Sequence, residues 1–359
     1  MSKRVIFTGG GTAGHVTPNM ALIDALKAKH WDIHYVGSST GIERQLIEPL
    51  NIPFHGIKTG KLRRYFSWQN FIDPVFIVWG FLQSLWLCVR LQPDVVFSKG
   101  GFVAVPLVIA AWVCRVPVIS HESDMTPGLA NKLCFPFSRW ICVNFPQTAQ
   151  HLPVGKVVVT GSPVRSSLLL GDPSRGRVEL GLTGEKPLLL VFGGSLGANV
   201  INQLVRQSLV ALLEQFDLVH VVGAGNLDSN LDARSGYVQR EYIQDGFGDV
   251  LAAADLVISR AGANSIYELL ITRTPHILVP LTAAASRGDQ LINARIFQEA
   301  GMSEVLFEDQ LSQSALLSSV HKIYSQRAEI AARLATFEVR DSVAVITGLI
   351  SQAAGEAVS

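Results

Sequence analysis

The sequence predicts an α/β protein of two doubly wound, Rossmann-like domains, each a parallel sheet with helices on both faces. Apolar runs of strand length alternate with amphipathic stretches of helix length over most of the 359 residues. Two strand–glycine loop–helix units, GGGTAGH at 9–15 and GGSLGA at 193–198, lie about half the chain apart. A chain of this length with 48% hydrophobic residues can bury two cores. We therefore expect two such domains facing an interdomain cleft.

The expected strands are short apolar runs separated by turn residues and helical patterns. In the first half they occupy residues 4–8, 33–36, 94–98, 116–120, 140–144 and 157–160. In the second half they occupy residues 187–192, 218–222, 237–240, 256–259 and 276–279. The stretch TGSPVR at 160–165 follows a strand with glycine and proline, which is typical of a hinge. After Gln310 the pattern is helical to the end.

Two helices are expected to begin at Thr-Pro pairs, at 17–18 and at 126–127. Threonine is a favourable N-cap, and proline fits the first helical position. Ligands of doubly wound sheets lie outside the carboxyl ends of the strands. The loops that follow the strands are therefore where functional residues are expected.

Composition favours a cytosolic protein that does not bind nucleic acid. The formal net charge is +1, so no global field attracts a polyanion. The four cysteines are scattered through apolar sequence without metal-ligand spacing, which indicates reduced core thiols. The N-terminus enters a strand within a few residues and lacks the pattern of a signal peptide. We expect the protein to stay inside the cell.

Residues 71–91 form an almost wholly apolar segment that follows a basic cluster, Lys58, Lys61, Arg63 and Arg64. A membrane-spanning helix needs about 20 apolar residues. In this segment an Asp-Pro pair at 73–74, a Gln-Ser pair at 83–84 and Arg90 interrupt the apolar sequence. A wholly buried core helix remains an alternative. The favoured interpretation is a half-buried helix with one face in a bilayer interface, since cations beside aromatic residues suit anionic headgroups.

Both glycine loops match motifs of other enzyme classes. The first fits G-x-G-x-x-G, but the second strand ends YVGS at 35–38, without the carboxylate that binds a dinucleotide ribose. His15 and Val16 stand where a Walker A loop has lysine and serine or threonine. The second fits the G-x-S-x-G elbow of hydrolases, but no later histidine lies in a suitable loop. An anion cradle at a helix N-terminus explains the glycines better.

Two side chains near these loops carry candidate chemistry. His15 is the only histidine in a glycine-rich strand-end loop, so it is either a general base or a phosphate contact. Glu268 can hold the two hydroxyls of a ribose or can complement a helix dipole in a first turn. No D-x-D motif and no metal-ligand spacing occurs in the sequence. Backbone amides and a basic side chain, with no metal, would then stabilise a departing diphosphate.

Six segments, in order over nearly the whole chain, together resemble one family. They are GGGTAGH at 9–15, SKGGF at 98–102, HESD at 121–124, TPGLANK at 126–132, GGSLG at 193–197 and SRAGAN at 259–264. This combination is similar to the MurG family of bacterial N-acetylglucosaminyltransferases, which converts lipid I to lipid II. The resemblance implies a GT-B fold of glycosyltransferase family 28 and an inverting, metal-independent reaction that needs no cofactor.

The resemblance also implies residue roles. His15 would be the general base, alone or with a group such as Glu122, taking the proton from the muramoyl 4-hydroxyl of lipid I. Ile243 would recognise uracil through its backbone, and Glu268 would hold the ribose. Arg165 would help neutralise the diphosphate. Contacts to UDP-N-acetylglucosamine are implied for Thr12, Gly14, Arg165, Gly194, Ser195, Leu196, Gly197, Ile243, Ala263, Glu268 and Gln290, and acceptor-side positions for Gly14 and Asn131.

The same resemblance implies a place in the cell and a domain division. The partners would be UDP-N-acetylglucosamine, lipid I, an anionic membrane surface and other cell-wall synthesis proteins, at the cytoplasmic face of the cell membrane. Residues 1–162 would form the acceptor domain and 163–342 the UDP-sugar domain, with a last helix at about 343–359 returning to the first. A UDP-sugar epimerase and a non-catalytic docking subunit are the alternatives that remain open.

Overall fold

The computed structural model describes residues 2–60, 69–182, 184–194, 197–232, 234–243 and 245–356, and the side chains of these residues other than 69–74. The chain divides into two compact units. Unit 1 comprises residues 1–165 and 340–359, and unit 2 comprises residues 166–339. The sequence predicts these boundaries at 162 and 342.

Unit 1 is built on a seven-stranded, wholly parallel sheet of order β3-β2-β1-β4-β5-β6-β7. Its central strands are apolar and fully buried, as expected for strands covered on both faces. The strands are β1 Arg4–Thr8, β2 Asp32–Ser38, β3 Phe54–Ile57, β4 Val95–Ser98, β5 Val118–Glu122, β6 Trp140–Val143 and β7 Val157–Val159. The helices are α1 Thr17–Ala28, α2 Ile42–Ile47, α3 Gln69–Leu91, α4 Ala104–Val113 and α5 Leu129–Cys134.

Unit 2 repeats the architecture with a six-stranded parallel sheet of order β10-β9-β8-β11-β12-β13. The short helices α6 Ser166–Leu169 and α7 Pro173–Glu179 lead into it. The strands are β8 Leu188–Phe192, β9 Asp217–Val221, β10 Tyr237–Arg240, β11 Leu256–Ser259, β12 His276–Leu278 and β13 Glu304–Val305. The helices are α8 Asn199–Gln207, α9 Leu209–Gln215, α10 Phe247–Ala253, α11 Ala263–Ile271, α12 Asp289–Glu299, α13 Gln313–Ser325 and α14 Arg327–Leu334.

The last helix, α15 Ser342–Ala353, belongs to unit 1. Its Ile346 and Ile350 are fully buried in the cluster that contains Leu22 and Leu26 of α1. The Lys3 ammonium also donates a hydrogen bond to the carbonyl of Ala354, 2.6 Å away. The apolar stripe of this helix therefore completes the core of the first sheet.

The eleven strands expected from the sequence are present, with ends that differ by one or two residues. The strands β3 and β13 were not expected, because both lie at a sheet edge and neither is a continuous apolar run.

Both expected threonine N-caps are wrong. Helix α1 begins at Thr17 itself, with Val16 as N-cap, because the short 3₁₀ turn Ala13–His15 leads directly into it. Helix α5 begins at Leu129 with Gly128 as N-cap, since the Glu122 carboxylate accepts the Gly128 N–H and holds the preceding loop outside the helix.

Among the described helices, none combines the length and apolar character that crossing a bilayer requires.

Candidate active site

The two glycine loops occupy equivalent places in the two sheets. Each follows the central strand, β1 in unit 1 and β8 in unit 2, at the point where the strand order reverses direction. Such switch points create a crevice between loops that lead away in opposite directions. In unit 1 the neighbouring loop follows β4, and in unit 2 it follows β11.

In unit 1 the first glycine loop packs directly against the loop after β4. The Gly10 N–H donates to the Gly100 carbonyl over 3.3 Å. A Cβ on Gly101, whose φ is +85°, would lie 2.3 Å from the Gly10 carbonyl oxygen. The two backbones can approach this closely because Gly101 has no side chain. The SKGGF segment thus supports the first loop.

His15 is half-buried, and its ring is held by that loop. Its Nδ1 lies 3.0 Å from the Gly10 carbonyl oxygen and 3.4 Å from Thr12 Oγ1. A carbonyl oxygen can only accept a hydrogen bond, so Nδ1 carries the hydrogen of the neutral ring. Nε2 is then the basic nitrogen. The geometry gives His15 the tautomer that a general base needs.

Glu43 of α2 is a site residue that sequence reasoning missed. Its side chain is fully buried, and its carboxylate accepts the N–H of Ser38 at 2.7 Å and of Gly11 at 3.4 Å. The first loop was expected to offer free N–H groups to an anion. That expectation is wrong for Gly10 and Gly11, whose N–H groups already donate to oxygens of the protein. The sequence signal for this role was a glutamate that follows two glycines, Gly37 and Gly41, just after the second strand.

A buried lysine lies behind the same sheet edge. The Lys99 ammonium is 2.6 Å from His121 Nδ1 and 2.5 Å from Ser123 Oγ. His121 Nε2 donates to the Gly161 carbonyl at 3.0 Å, so its Nδ1 accepts from Lys99. Burial lowers the pKa of Lys99 to about 7, although Glu122 and Asp124 oppose that change. Burial also lowers the pKa of His121 well below its ordinary value, which keeps the ring neutral.

Asn131 and Glu122 form a buried pair next to the loop that follows β4. Asn131 Nδ2 donates to Glu122 Oε2 at 2.9 Å and to the His121 carbonyl at 3.2 Å. Its Oδ1 has no hydrogen-bond partner within the described part of the chain and lies 2.6 Å from the Cβ position of Gly100. The structure therefore brings Asn131 to the loop that packs on Gly10. Thr12 and Gly14 are exposed on the neighbouring loop.

The second glycine loop is more open. A Cβ built on Gly194 meets no described atom within 4 Å. The Gly197 N–H donates to the Gly194 carbonyl at 2.8 Å, and a Cβ on Gly197, at φ +76°, would lie 2.2 Å from the Val222 carbonyl oxygen. Gly197 is thus required by packing, whereas Gly194 faces open space. Ser195 and Leu196 lie outside the described residues.

The other expected donor contacts of unit 2 are distributed over three loops and helices. Ile243 is half-buried after β10, Ala263 is buried at the start of α11, and Glu268 is half-buried in the second turn of that helix. The alternative of a first-turn, dipole-complementing glutamate is therefore wrong for Glu268. Gln290 Oε1 accepts the Leu281 N–H at 3.1 Å.

Arg165, the remaining donor candidate, is exposed at the last residue of unit 1. Sequence reasoning also missed Arg260, which is nearly buried after β11. Its guanidinium donates to the Val279 carbonyl at 3.1 Å and to Glu308 at 2.5 Å, which ties together the loops after β11, β12 and β13. In the parts of the chain that are described, no three His, Cys, Asp or Glu side chains are arranged to hold a metal ion.

Comparison with protein families matches both halves of the chain. Residues 5–141 match the glycosyltransferase family 28 N-terminal domain, and residues 188–345 match the glycosyltransferase family 28 C-terminal domain.

Curated relatives match almost end to end. A protein of Lachnoclostridium phytofermentans is 50% identical over 350 residues, covering 98% of this chain and 99% of the relative. A protein of Legionella pneumophila strain Paris is 48% identical over 355 residues, covering 99% and 98%. Both are named UDP-N-acetylglucosamine–N-acetylmuramyl-(pentapeptide) pyrophosphoryl-undecaprenol N-acetylglucosamine transferase.

Solved structures share the fold. MurG of Acinetobacter baumannii superposes with a TM-score of 0.75 at 23% identity, covering 98% of this chain and 99% of that one. A Listeria monocytogenes protein described as a UDP-N-acetylglucosamine 2-epimerase superposes with a TM-score of 0.69 at 13% identity, covering 98% and 96%. At these identities the likeness is one of fold alone.

Proposed function

Because this chain belongs to glycosyltransferase family 28 and has its GT-B fold, we propose that it transfers N-acetylglucosamine from UDP-N-acetylglucosamine to lipid I. Lipid I is undecaprenyl-diphosphoryl-N-acetylmuramoyl-pentapeptide, and the product is lipid II of peptidoglycan synthesis. The observation that carries this proposal is identity of about one half, over nearly the full length, to relatives named for that reaction.

In the proposed chemistry, His15 Nε2 takes the proton from the muramoyl 4-hydroxyl. That oxygen attacks the anomeric carbon from the face opposite the diphosphate and forms the new glycosidic bond. The bond from the anomeric carbon to the diphosphate oxygen breaks, and its electron pair leaves with UDP. The sugar inverts. The hydrogen bond from Nδ1 to Gly10 supports this role, since it makes Nε2 the proton acceptor.

For the donor, the second glycine loop is proposed to hold the diphosphate, with Ser195, Leu196 and Arg165 contributing. Gly194 supports this assignment because its surroundings leave room for a ligand. Gln290 is proposed to bind the sugar hydroxyls, Glu268 the ribose diol and Ile243 the uracil. Ala263, Thr12, Gly14 and Gly197 complete the proposed donor contacts. We propose that no metal or other cofactor takes part.

For the acceptor, Asn131 and Gly14 are proposed to lie beside the sugar and diphosphate of lipid I. The buried bonds from Asn131 to Glu122 support a fixed orientation of its amide. The Asn131 Oδ1, which has no partner among the described residues, is the atom proposed to accept a hydrogen bond from the acceptor.

The lipid tail of the proposed acceptor requires that the reaction occur at a membrane surface. One face of unit 1, on helix α3, has the residues expected of a membrane-binding surface. Helix α3 exposes a stripe at helical spacing that includes Trp79, Leu82 and Trp86, each about half exposed. The Arg90 guanidinium lies over the Trp86 ring, 4.9 Å from its centroid. Aromatic rings beside cations suit the anionic bilayer interface. The basic residues Lys61, Arg63 and Arg64 lie outside the described residues.

We therefore propose peripheral attachment at the cytoplasmic face of the cell membrane, the inner membrane where there are two. There the enzyme would supply lipid II for cell shape and division, alongside other cell-wall synthesis proteins. Replacing Trp79 and Trp86 by serine should weaken binding to anionic vesicles, whereas Val178→Ser, an exposed apolar position in unit 2, should not. Equal vesicle binding by both variants would contradict this surface.

The transferase assignment is tested by following labelled N-acetylglucosamine from UDP to a lipid I analogue in the presence of EDTA. Transfer without added metal is the expected result. UDP binding without transfer would contradict the proposal. In that case, solvent deuterium appearing in the recovered UDP-sugar would identify an epimerase, and no chemistry at all would indicate a docking subunit.

A further inference from the structure

A single peptide group links Glu43 to His15. The N–H of the Gly10–Gly11 peptide belongs to Gly11 and donates to Glu43 Oε2 at 3.4 Å. The carbonyl of the same peptide belongs to Gly10 and accepts from His15 Nδ1 at 3.0 Å. The peptide is planar and rigid, so its two ends cannot reorient independently. A buried carboxylate, a peptide and an imidazole therefore form one hydrogen-bonded series.

We propose that Glu43 is a positioning residue for His15 and acts through the Gly10–Gly11 peptide to fix the Nδ1–H tautomer and the ring orientation. This inference rests on the proposed function, in which His15 Nε2 is the base. Glu43 itself does not touch the substrates in this scheme.

The physical effect is polarisation across the peptide. A carboxylate that accepts the N–H draws positive charge to that end and increases the negative charge on the carbonyl oxygen. The carbonyl becomes a stronger acceptor for His15 Nδ1–H, which makes Nε2 more basic. The Glu43 side chain is fully buried, so water does not screen this effect as it does at a surface. The bond from the Ser38 N–H, 2.7 Å long, holds the carboxylate in place.

Three glycines leave space for this one carboxyl group. A Cβ on Gly10 would lie 2.5 Å from Glu43 Oε1, and a Cβ on Gly41 would lie 2.2 Å from Oε2. A Cβ on Gly37 would lie 2.7 Å from Glu43 Cγ. A Cβ contact below 3.0 Å is not tolerated without movement, so all three positions must lack a side chain. Glycine is thus required at three positions that surround the buried Glu43 carboxylate.

The other titratable groups near the loop have different partners. The Tyr35 hydroxyl donates to the Gly9 carbonyl at 2.7 Å, and burial raises the pKa of Tyr35, with the Glu43 charge adding to that effect. A Cβ built on Gly9 would lie 3.1 Å from Lys99 Cβ, and the Lys99 ammonium is bound to His121. On α2, Arg44 pairs with Glu48 at 2.8 Å. Glu43 is the group in this set that is hydrogen-bonded to the Gly10–Gly11 peptide.

The experiment compares the full chain with Glu43→Gln, using ¹⁵N-labelled histidine and NMR of the His15 ring nitrogens. Glu48→Gln is the matched control, since it removes the same charge from the same segment but does not contact the peptide. In the wild type we expect Nδ1 to carry the hydrogen. In Glu43→Gln we expect a mixture of tautomers, and in Glu48→Gln the wild-type pattern.

Kinetics supply a second readout. Glu43→Gln should lower kcat by on the order of tenfold, less than the loss caused by removing a carboxylate that binds the base directly. KM for UDP-N-acetylglucosamine should stay within about twofold, because the donor contacts are unchanged. The acid limb of the pH–kcat profile should move to lower pH, since the charge that favours the protonated ring is lost.

Unchanged ring-nitrogen shifts in a folded Glu43→Gln protein would overturn the inference. A changed tautomer with unchanged transfer would support the Glu43–His15 coupling but contradict His15 as the base, which separates this inference from the proposed function. Should Glu43→Gln fail to fold, Glu43→Asp keeps the charge but shortens its reach to the peptide. A tautomer mixture in Glu43→Asp would support the coupling, and a wild-type pattern would overturn it.

Discussion

The two glycine loops share a sequence pattern and a place in the sheet but have different surroundings. Around the first loop, Gly100 and Glu43 accept the N–H groups of Gly10 and Gly11, and Gly9 and Gly10 make room for other parts of the protein. In the second, a Cβ built on Gly194 meets none of the described atoms within 4 Å. Gly10 of the first loop and Gly197 of the second are required by packing, whereas Gly194 of the second leaves room for a ligand. The difference teaches that a phosphate-loop pattern alone does not identify which loop receives a phosphate.

The helices behind the two loops are anchored by similar asparagines with different partners. Asn19 of α1 donates to the Thr8 carbonyl at 3.4 Å and to the Tyr35 hydroxyl at 3.2 Å. Asn202 of α8 donates to the Val222 carbonyl at 2.9 Å and accepts from His220 Nε2 at 3.0 Å. A tyrosine supports the first loop and a histidine supports the second. The two loops should therefore respond differently to pH.

The largest expected effect is the loss of turnover in His15→Ala, which tests whether the first loop acts in the chemistry and the second in donor binding. His15→Ala should lower kcat by about 10²–10⁴-fold, because the proton of the acceptor hydroxyl loses its base. UDP binding, measured by calorimetry, should stay unchanged, since His15 is not among the proposed donor contacts. Unchanged turnover would remove His15 from the chemistry, and a parallel loss of UDP binding would show that His15 itself holds the donor.

The next effect concerns the histidine behind the second loop. Burial lowers the pKa of His220 to about 3, and its ring is fully buried. Between pH 6.5 and 3 the unfolded chain takes up a proton there and the folded chain does not, so stability falls as pH falls. The loss at the acid end of this range is roughly 4–5 kcal/mol for unit 2.

His220→Gln should flatten this pH dependence, because glutamine does not titrate but can donate to Asn202. His321→Gln, at an exposed position of α13, is the control. All six tryptophans lie in unit 1, so a circular dichroism transition without a tryptophan fluorescence change reports unit 2. Identical acid slopes for the wild type and His220→Gln would show that the ring is not protected as described.

The smallest effect compares one glycine from each loop. Neither Gly10 nor Gly194 has a positive φ, so alanine fits the backbone at both positions. At Gly10 the new methyl group would meet the Glu43 carboxylate at 2.5 Å and Val103 at 3.0 Å. Gly10→Ala should therefore destabilise unit 1 by about 1–3 kcal/mol, seen in the tryptophan fluorescence transition.

Gly194→Ala should change unfolding by less than about 0.5 kcal/mol, since the methyl group enters open space. It should instead raise KM for the UDP-sugar, because the methyl group occupies the approach to the proposed diphosphate site. Equal stability of the two variants would remove the packing difference between the loops, and an unchanged KM would argue against Gly194 at the diphosphate.

Local patterns were sufficient for most of the fold. Apolar runs predicted the central strands, because such strands are buried on both faces and read as continuous hydrophobic sequence. The same reading failed at the edge strands β3 and β13, where one side of the strand has no neighbour to demand apolar residues. The Thr-Pro capping pattern failed at the start of α5, where a carboxylate from β5 accepts the N–H of Gly128. Such a contact has no local signal.

The sequence by itself determined the fold class, both glycine loops and His15, because each depends on residues that are neighbours along the chain. The tertiary structure decided what those loops contact. Parallel strands in the order 3-2-1-4-5 bring their carboxyl ends to one edge, so Gly10, Glu43 and Gly100 meet although they are far apart in sequence. Spacing along the chain does not encode such contacts. Strand order and the close packing of the loops determine them, and through them which N–H groups are occupied.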